Sequence, residues 1–195
     1  NLNSDGIKDI SFELKKGEIL SVTGLHGSGR DQLADALFGV QSYTGEVIKD
    51  GKQIKGGIES HLKAGIAMVP RNRKERGILN DLSILDNHSM GFFNTKLKSL
   101  MISPKKERER FRRRQEKLSI RADRPTNPIT SLSGGNQQKV ILGRWLEADA
   151  DILLFDNPTQ GIDVGTKYEI YKLMLSLSAQ GKSIIMFSSE FAEIM

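Results

Sequence analysis

LSGGNQQKVILGRWLEA (132–148) and ILLFDNPTQGIDVG (152–165) carry most of the structural information in this 195-residue chain. In the first, Ser133, Gly134 and Gly135 stand immediately before a run with helical spacing. A hydroxyl and several backbone N–H groups therefore converge at a helix start, an arrangement suited to an anion. In the second, residues 152–155 are all apolar and Asp156 ends the run. That reads as a buried strand with a carboxylate at its tip, where it can face a magnesium ion. Beyond it, VGTKYEIYKLMLSLSAQ (164–180) is amphipathic and stops at Gly181.

The same alternation extends in both directions. KSIIMFSS (182–189) is another buried strand. Upstream, EILSVT (18–23) is a mostly apolar strand, GLHGSG (24–29) a glycine-rich loop, and RDQLADALF (30–38) a helix with Leu33, Ala34, Leu37 and Phe38 on one face. Ile10, Phe12 and Leu14 alternate with polar residues and predict a further strand before the Lys16-Gly17 turn. GEVIKDGKQI (45–54) is a hairpin about Asp50-Gly51. IESHLKA (58–64) is a short helix, and IAMV (66–69) a buried strand stopped by Pro70. Strands alternating with helices imply an α/β fold with a largely parallel sheet covered on both faces.

Residues 84–130 break the pattern. Leu85, Met90, Phe92, Phe93, Leu97 and Leu100 suggest helices. Ser103-Pro104 opens a very basic one, serine at the N-cap and proline at the first helical position. Pro125 and Pro128 close the region. The expectation is a helical subdomain at about 84–130, inserted in a core of about 1–83 and 131–195.

Composition narrows the chemistry. With no cysteine there is no disulfide, thiol nucleophile or thiolate metal site. His26, His61 and His88 are too scattered for a zinc site. The chain is 37% apolar and 27% charged, a globular profile. No stretch approaches the ~20 apolar residues of a membrane span. The net charge of +5 is concentrated in residues 103–124, where ten Lys/Arg face four acids. Only Phe111 interleaves as an aromatic, so a solvated helix is favoured over a nucleic-acid surface. Trp145 and Phe155 are expected in the core.

The loop GLHGSGRD (24–31) follows a strand and opens a helix, the context of a phosphate-binding loop. Glycines let the backbone approach phosphate oxygens, and successive N–H groups form a concave nest. The pattern G-x-x-x-x-G-K-[ST] is met at Gly24 and Gly29. It fails at Arg30, in the lysine position, and at Asp31, in place of a magnesium-binding hydroxyl. A tight strand-to-helix turn is the competing explanation for these glycines.

The order glycine loop, LSGGNQQ, ILLFDNPTQGIDVG resembles the ATPase domain of ABC transporters. It is most similar to the second nucleotide-binding half of simple-sugar importer ATPases, the ribose and galactose type. The resemblance runs from DISFELKKGEIL (9–20) to IIMFSSEFAEIM (184–195). It implies a P-loop core, bound ATP and Mg2+, and a place at the cytoplasmic face of the membrane. It also implies two such domains meeting head to tail, with membrane-spanning permease subunits and, indirectly, a solute-binding protein as partners. No nucleic-acid partner is implied. Phosphates would be held by Gly24, Gly27, Ser28, Gly29, Arg30 and Asp31, and the metal by Asp156 and Asp31. Ser133, Gly134, Gly135 and Gln137 would meet a nucleotide held by the partner domain, and Asp163 matches the D-loop aspartate.

The departures from the family pattern fall in the domain's own site. Asn157 occupies the place of the catalytic glutamate, Ser189 that of the switch histidine and Arg71 that of the Q-loop glutamine. Together with Arg30 and Asp31 they imply a half whose own hydrolytic site is degenerate while its signature serves the partner. The chain is expected to be a piece of a longer two-half polypeptide. A non-transport ABC ATPase acting on nucleic acid or ribosomes, and a regulatory nucleotide-binding module, stand as alternatives.

Overall fold

The computed structural model describes residues 1–25, 27–96 and 102–189. His26, Leu97, Leu100 and the last six positions of the expected family match lie outside them. Two compact units emerge. One comprises 1–68, 150–158 and 174–195, and the other 69–149 and 159–173.

The first unit is built on a parallel ladder. β1 (Leu2–Ser4) and β2 (Ile7–Ile10) form a short antiparallel pair. β3 (Ile19–Thr23) leads through the glycine loop into α1 (Arg30–Phe38). β4 (Val47–Lys49) and β5 (Lys52–Ile54) form the expected hairpin. Asp50 and Gly51 both take positive φ, 51° and 73°, as a two-residue hairpin turn of matching twist requires. α2 (Ile58–Lys63) and β6 (Ile66–Val69) follow. Much later in the chain come β7 (Ile152–Asp156) and β8 (Ser183–Ser188). The sheet order is β3-β8-β7-β6.

β8 lies between β3 and β7, parallel to both, and every one of its residues is buried. A strand covered on both faces must be a continuous apolar run, which explains IIMF and LLF without alternation. Leu154, Ile185 and Phe187 join Leu33, Ala34 and Leu37 of α1 in one cluster. The expected strand through Phe12 and Leu14 ends instead at Ile10. Asp9 adopts φ 52° and its N–H donates to Asn3 Oδ1 at 2.8 Å, which marks a register shift; the pairing resumes at Ile10 opposite Leu2, the first residue of β1, and the ladder has no partner beyond it. Phe12 is exposed as a result.

The second unit is helical. After a π-helical turn at Arg73–Gly77 come α3 (Ile84–Lys96), α4 (Pro104–Lys117) and α5 (Gly134–Glu147). α3 opens with a reciprocal cap: Ser83 Oγ accepts from the Asp86 N–H at 3.1 Å, while the Ser83 N–H donates to Asp86 Oδ2 at 3.3 Å. α4 begins with Ser103 at the N-cap and Pro104 at its first position, although the serine side chain makes no capping bond. The buried Arg144 of α5 donates to Asn87 O at 2.6 Å and Gly77 O at 2.8 Å, fastening α5 to α3 and to the π-turn. The basic run is largely solvated, but Phe111 is buried against the His88 ring, and Arg114 pairs with Glu147 at 2.9 Å. Phe155 is in the core, whereas Trp145 is only half-buried. α6 (Val164–Ala179) contributes residues to both units.

His88 is buried, and neither ring nitrogen has a hydrogen-bond partner among the described residues. Burial, with Arg114, Arg144 and Arg110 adding to it, pushes its pKa down from 6.5 to about 3. The folded protein therefore holds the neutral ring where the unfolded chain would protonate it. This contribution is fully present above pH 6.5 and is lost as pH falls toward 3. In chemical unfolding across that range, His88→Leu should flatten the acid limb of the stability profile, a difference of a few kcal/mol.

Candidate functional site

Three groups of residues answer to the sequence expectations. The first is the glycine loop at the end of β3. Gly27 and Gly29 take φ of 83° and 87°, a region open to glycine and strained for other residues. A β-carbon on Gly27 would meet nothing within 4 Å among the described residues beyond its chain neighbours. On Gly24 it would strike Ser28 Oγ. On Gly29 it would collide with the Gly6 carbonyl at the tip of the β1–β2 pair, so glycine is needed there on two counts.

Arg30 is buried at the start of α1. Its Nη2 is 2.9 Å from Asp31 Oδ1, and its Nη1 donates to Gly24 O at 3.3 Å. The guanidinium is thus turned inward, onto the loop's own backbone and carboxylate. The loop retains the glycine cradle and the helix start that fit a phosphate. Its one cation is paired with its neighbour, and the same contact engages one of the two Asp31 carboxylate oxygens.

The second group lies at the carboxyl end of β7. Asp156 and Asn157 are both buried. Asn157 adopts φ 42° and its N–H donates to Phe187 O at 2.8 Å. Its Nδ2 donates to Asp156 Oδ1 at 3.1 Å. Its Oδ1 accepts from both the N–H and the Oγ of Ser189, at 3.0 and 3.1 Å. The structure therefore brings three predicted residues into one closed chain, Asp156–Asn157–Ser189. Both acceptor positions of the amide oxygen are filled, so no lone pair remains to polarise a water.

No cluster of three or more His, Cys, Asp or Glu that could hold a metal occurs among the described residues. Asp156 alone fits a magnesium ion that draws its remaining ligands from phosphate and water.

The third group belongs to the second unit. Ser133 is the exposed N-cap of α5 and makes no capping bond; its Oγ accepts from Asn136 Nδ2 at 2.9 Å. Gly134 is half-buried and Gly135 buried. A β-carbon on Gly135 would collide with Thr166 Cγ2 in the first turn of α6. Gln137 is not presented outward: it is buried, and its Nε2 donates to Leu132 O at 3.1 Å, so it braces the turn from inside. Asp163 caps α6, its Oδ1 accepting from the Thr166 N–H at 2.9 Å. That bond, with further ones from Thr166 and Gly165, holds its carboxyl below the usual range. Arg71 is half-buried just beyond Pro70.

The sequence profile described as "ABC transporter" matches residues 7–160. The chain belongs to the ABC transporter family. Among curated relatives of this ABC-family chain, "Xylose import ATP-binding protein XylG" of Pseudomonas savastanoi pv. phaseolicola is 46% identical, covering 97% of the chain and 37% of that protein. "Ribose import ATP-binding protein RbsA 1" of Streptomyces coelicolor is 40% identical over 100% of the chain and 39% of its own length. "Galactose/methyl galactoside import ATP-binding protein MglA" of Clostridium tetani is 42% identical over 99% and 39%. The chain thus spans less than two fifths of the length of these relatives.

Two solved structures share the ABC fold. The ATP-binding cassette MJ0796, in a dimeric post-hydrolysis state bound to ADP and Pi, superposes with a TM-score of 0.81 at 22% identity, over 96% of this chain and 82% of that one. A nucleotide-free ATP-binding cassette gives 0.81 at 21% identity, over 97% and 77%. No helix among the described residues is long and apolar enough to cross a membrane.

Arg73, Lys139 and Glu169 escaped the sequence reading. Arg73 Nε donates to Gln137 Oε1 at 3.2 Å and Lys139 Nζ to Glu169 Oε2 at 2.8 Å. The paired glycines 134 and 135 were the available signal, since adjacent glycines at a helix start announce close neighbours.

The Gly135–Thr166 contact gives a direct test. Gly135→Ala should destabilise the protein by about 1–3 kcal/mol through overpacking. Adding Thr166→Ser, which removes the offending methyl, should recover most of the loss in denaturant melts of the two variants.

Proposed function

We propose that this chain is an ATP-binding half of an ABC importer for sugars or related small solutes. In this reading it lies peripherally at the cytoplasmic face of the membrane. It pairs head to tail with a second nucleotide-binding domain, and the pair drives membrane-spanning permease subunits fed by a solute-binding protein. The names of the relatives, all import ATP-binding proteins, support the transport role.

The observation that carries the division of labour is the closed Asp156–Asn157–Ser189 chain. An amide cannot take a proton from water, and this one has no free acceptor. Loss of a general base lowers turnover by about 10²–10⁴-fold. The domain's own loop would hold phosphates through Gly24, Gly27, Ser28, Gly29 and Arg30, with weak attraction because Arg30 is paired to Asp31. Mg2+, when bound, would offset phosphate charge, and Asp156 would be the carboxylate that holds it.

The exposed Ser133 and the N–H groups of Gly134 and Gly135, at the start of α5, would serve differently. They would complete the site of the partner domain, stabilising charge on a phosphate that the partner holds. Asp163, whose carboxyl the Thr166 bonds hold below the usual range, would face the same junction.

The rival regulatory reading draws on the inward-turned Arg30. Absence of ATP binding by the isolated chain up to millimolar concentration would favour it.

Two variants test the main reading in the assembled transporter, by phosphate release. Ser133→Arg should lower turnover at least tenfold. Asn157→Glu should leave turnover near the parent level, because Ser189 and Arg71 would still lack the family groups. Brisk hydrolysis by Asn157→Glu at this domain's own site would refute the degenerate-site account.

A further inference from the structure

Ser133 can serve a partner only if the turn that carries it is held still. The bond it makes to Asn136 stays within that turn. The support comes from below. Gln137 Nε2 holds the Leu132 carbonyl at 3.1 Å and the Ile129 carbonyl at 3.4 Å. The orientation of that amide is fixed in turn by Arg73, whose Nε donates to Gln137 Oε1 at 3.2 Å.

The same guanidinium reaches in a second direction, Nη1 donating to the backbone carbonyl of Gln160 at 3.2 Å. Gln160 lies three residues before Asp163 in the loop that starts α6. The guanidinium lies against Gly134, where any β-carbon would collide with Nη2. All of these residues belong to the second unit. Two further contacts bind the same pair of segments: Gly135 against Thr166, and Lys139 Nζ to Glu169 Oε2 at 2.8 Å.

We propose that Arg73 is a positioning residue that clamps the Ser133–Gly135 turn to the 160–163 loop, so that Ser133 and Asp163 are delivered to the partner domain as one rigid element. This rests on the functional reading above, in which the turn serves a partner's nucleotide. The fork geometry explains the residue type. Two N–H groups on one plane can point at Gln137 and Gln160 together, whereas a lysine ammonium offers one point charge on a flexible stem. The glycine at 134 leaves the room that this plane occupies.

The test is a double-mutant cycle in the assembled transporter. Arg73→Ala should lower kcat for ATP about tenfold, the scale of one lost charge-assisted bond, with KM for ATP changed less than twofold. Arg73→Lys should not rescue it. Ser133→Ala should also lower kcat, and the double variant should be no slower than the slower single variant, because Arg73 acts through Ser133. Multiplicative losses, or rescue by lysine, would overturn the proposal. Hydrogen exchange supplies a readout that does not depend on turnover. Arg73→Ala should speed exchange at 133–137 and 160–163 together and leave β7 and β8 protected. Acceleration in only one segment, or in neither, overturns the clamp. If Ser133→Ala left turnover untouched while both segments loosened together, the clamp would stand and the partner-site reading would fail.

Discussion

The parallel ladder β3-β8-β7 is the constraint on which the candidate site depends. Val22, Phe187 and Asp156 share one row of the register, so the three strands end together. The glycine loop, Ser189 and Asn157 leave the sheet within a residue or two of that row. Open α/β sheets bind ligands at the carboxyl ends of their strands because only there do backbone groups and loops converge without blocking the core. β8 is buried along its whole length, which fixes the register: a one-residue slip would break the alignment of LLF with IIMF.

Against that edge, the bonding of Asn157 is unusual. The residue is buried and left-handed, a backbone conformation asparagine tolerates better than most. Its backbone N–H, its amide oxygen and its amide N–H are all engaged, two of them by strand β8 and the residue following it. A carboxylate there could not donate to Asp156 and would repel it. The local network therefore suits an amide, and a carboxylate at 157 would disturb it.

The strands and helices were largely legible because their patterns are set by burial. β7, β8, α1 and α6 lie within one or two residues of their sequence bounds, and the Asp50-Gly51 turn follows from two residues that accept positive φ. The expected strand through Phe12 stops at Ile10 because its paired strand β1 reaches only to Leu2, so alternation beyond that point has no ladder to join. The π-turn at Arg73–Gly77 had no periodic signature at all. Among site residues, the glycines and the strand-end Asp156 could be read from type and order. The role of Gln137 could not. A glutamine beside a serine–glycine turn looks like a ligand contact, and only the fold reveals that its amide is consumed by the Leu132 and Ile129 carbonyls and by Arg73.

The abutment of Gly29 on the Gly6 carbonyl reaches beyond that glycine. The wall behind Gly29 in the glycine loop is the tip of the first hairpin, a segment whose sequence carries no glycine-loop signal. The room left at Gly29 is thus set by residues 6 and 7, more than twenty positions earlier in the sequence. An engineer transplanting this loop into a relative would have to move 1–38 as a block, because residues 24–31 alone would arrive without their backing.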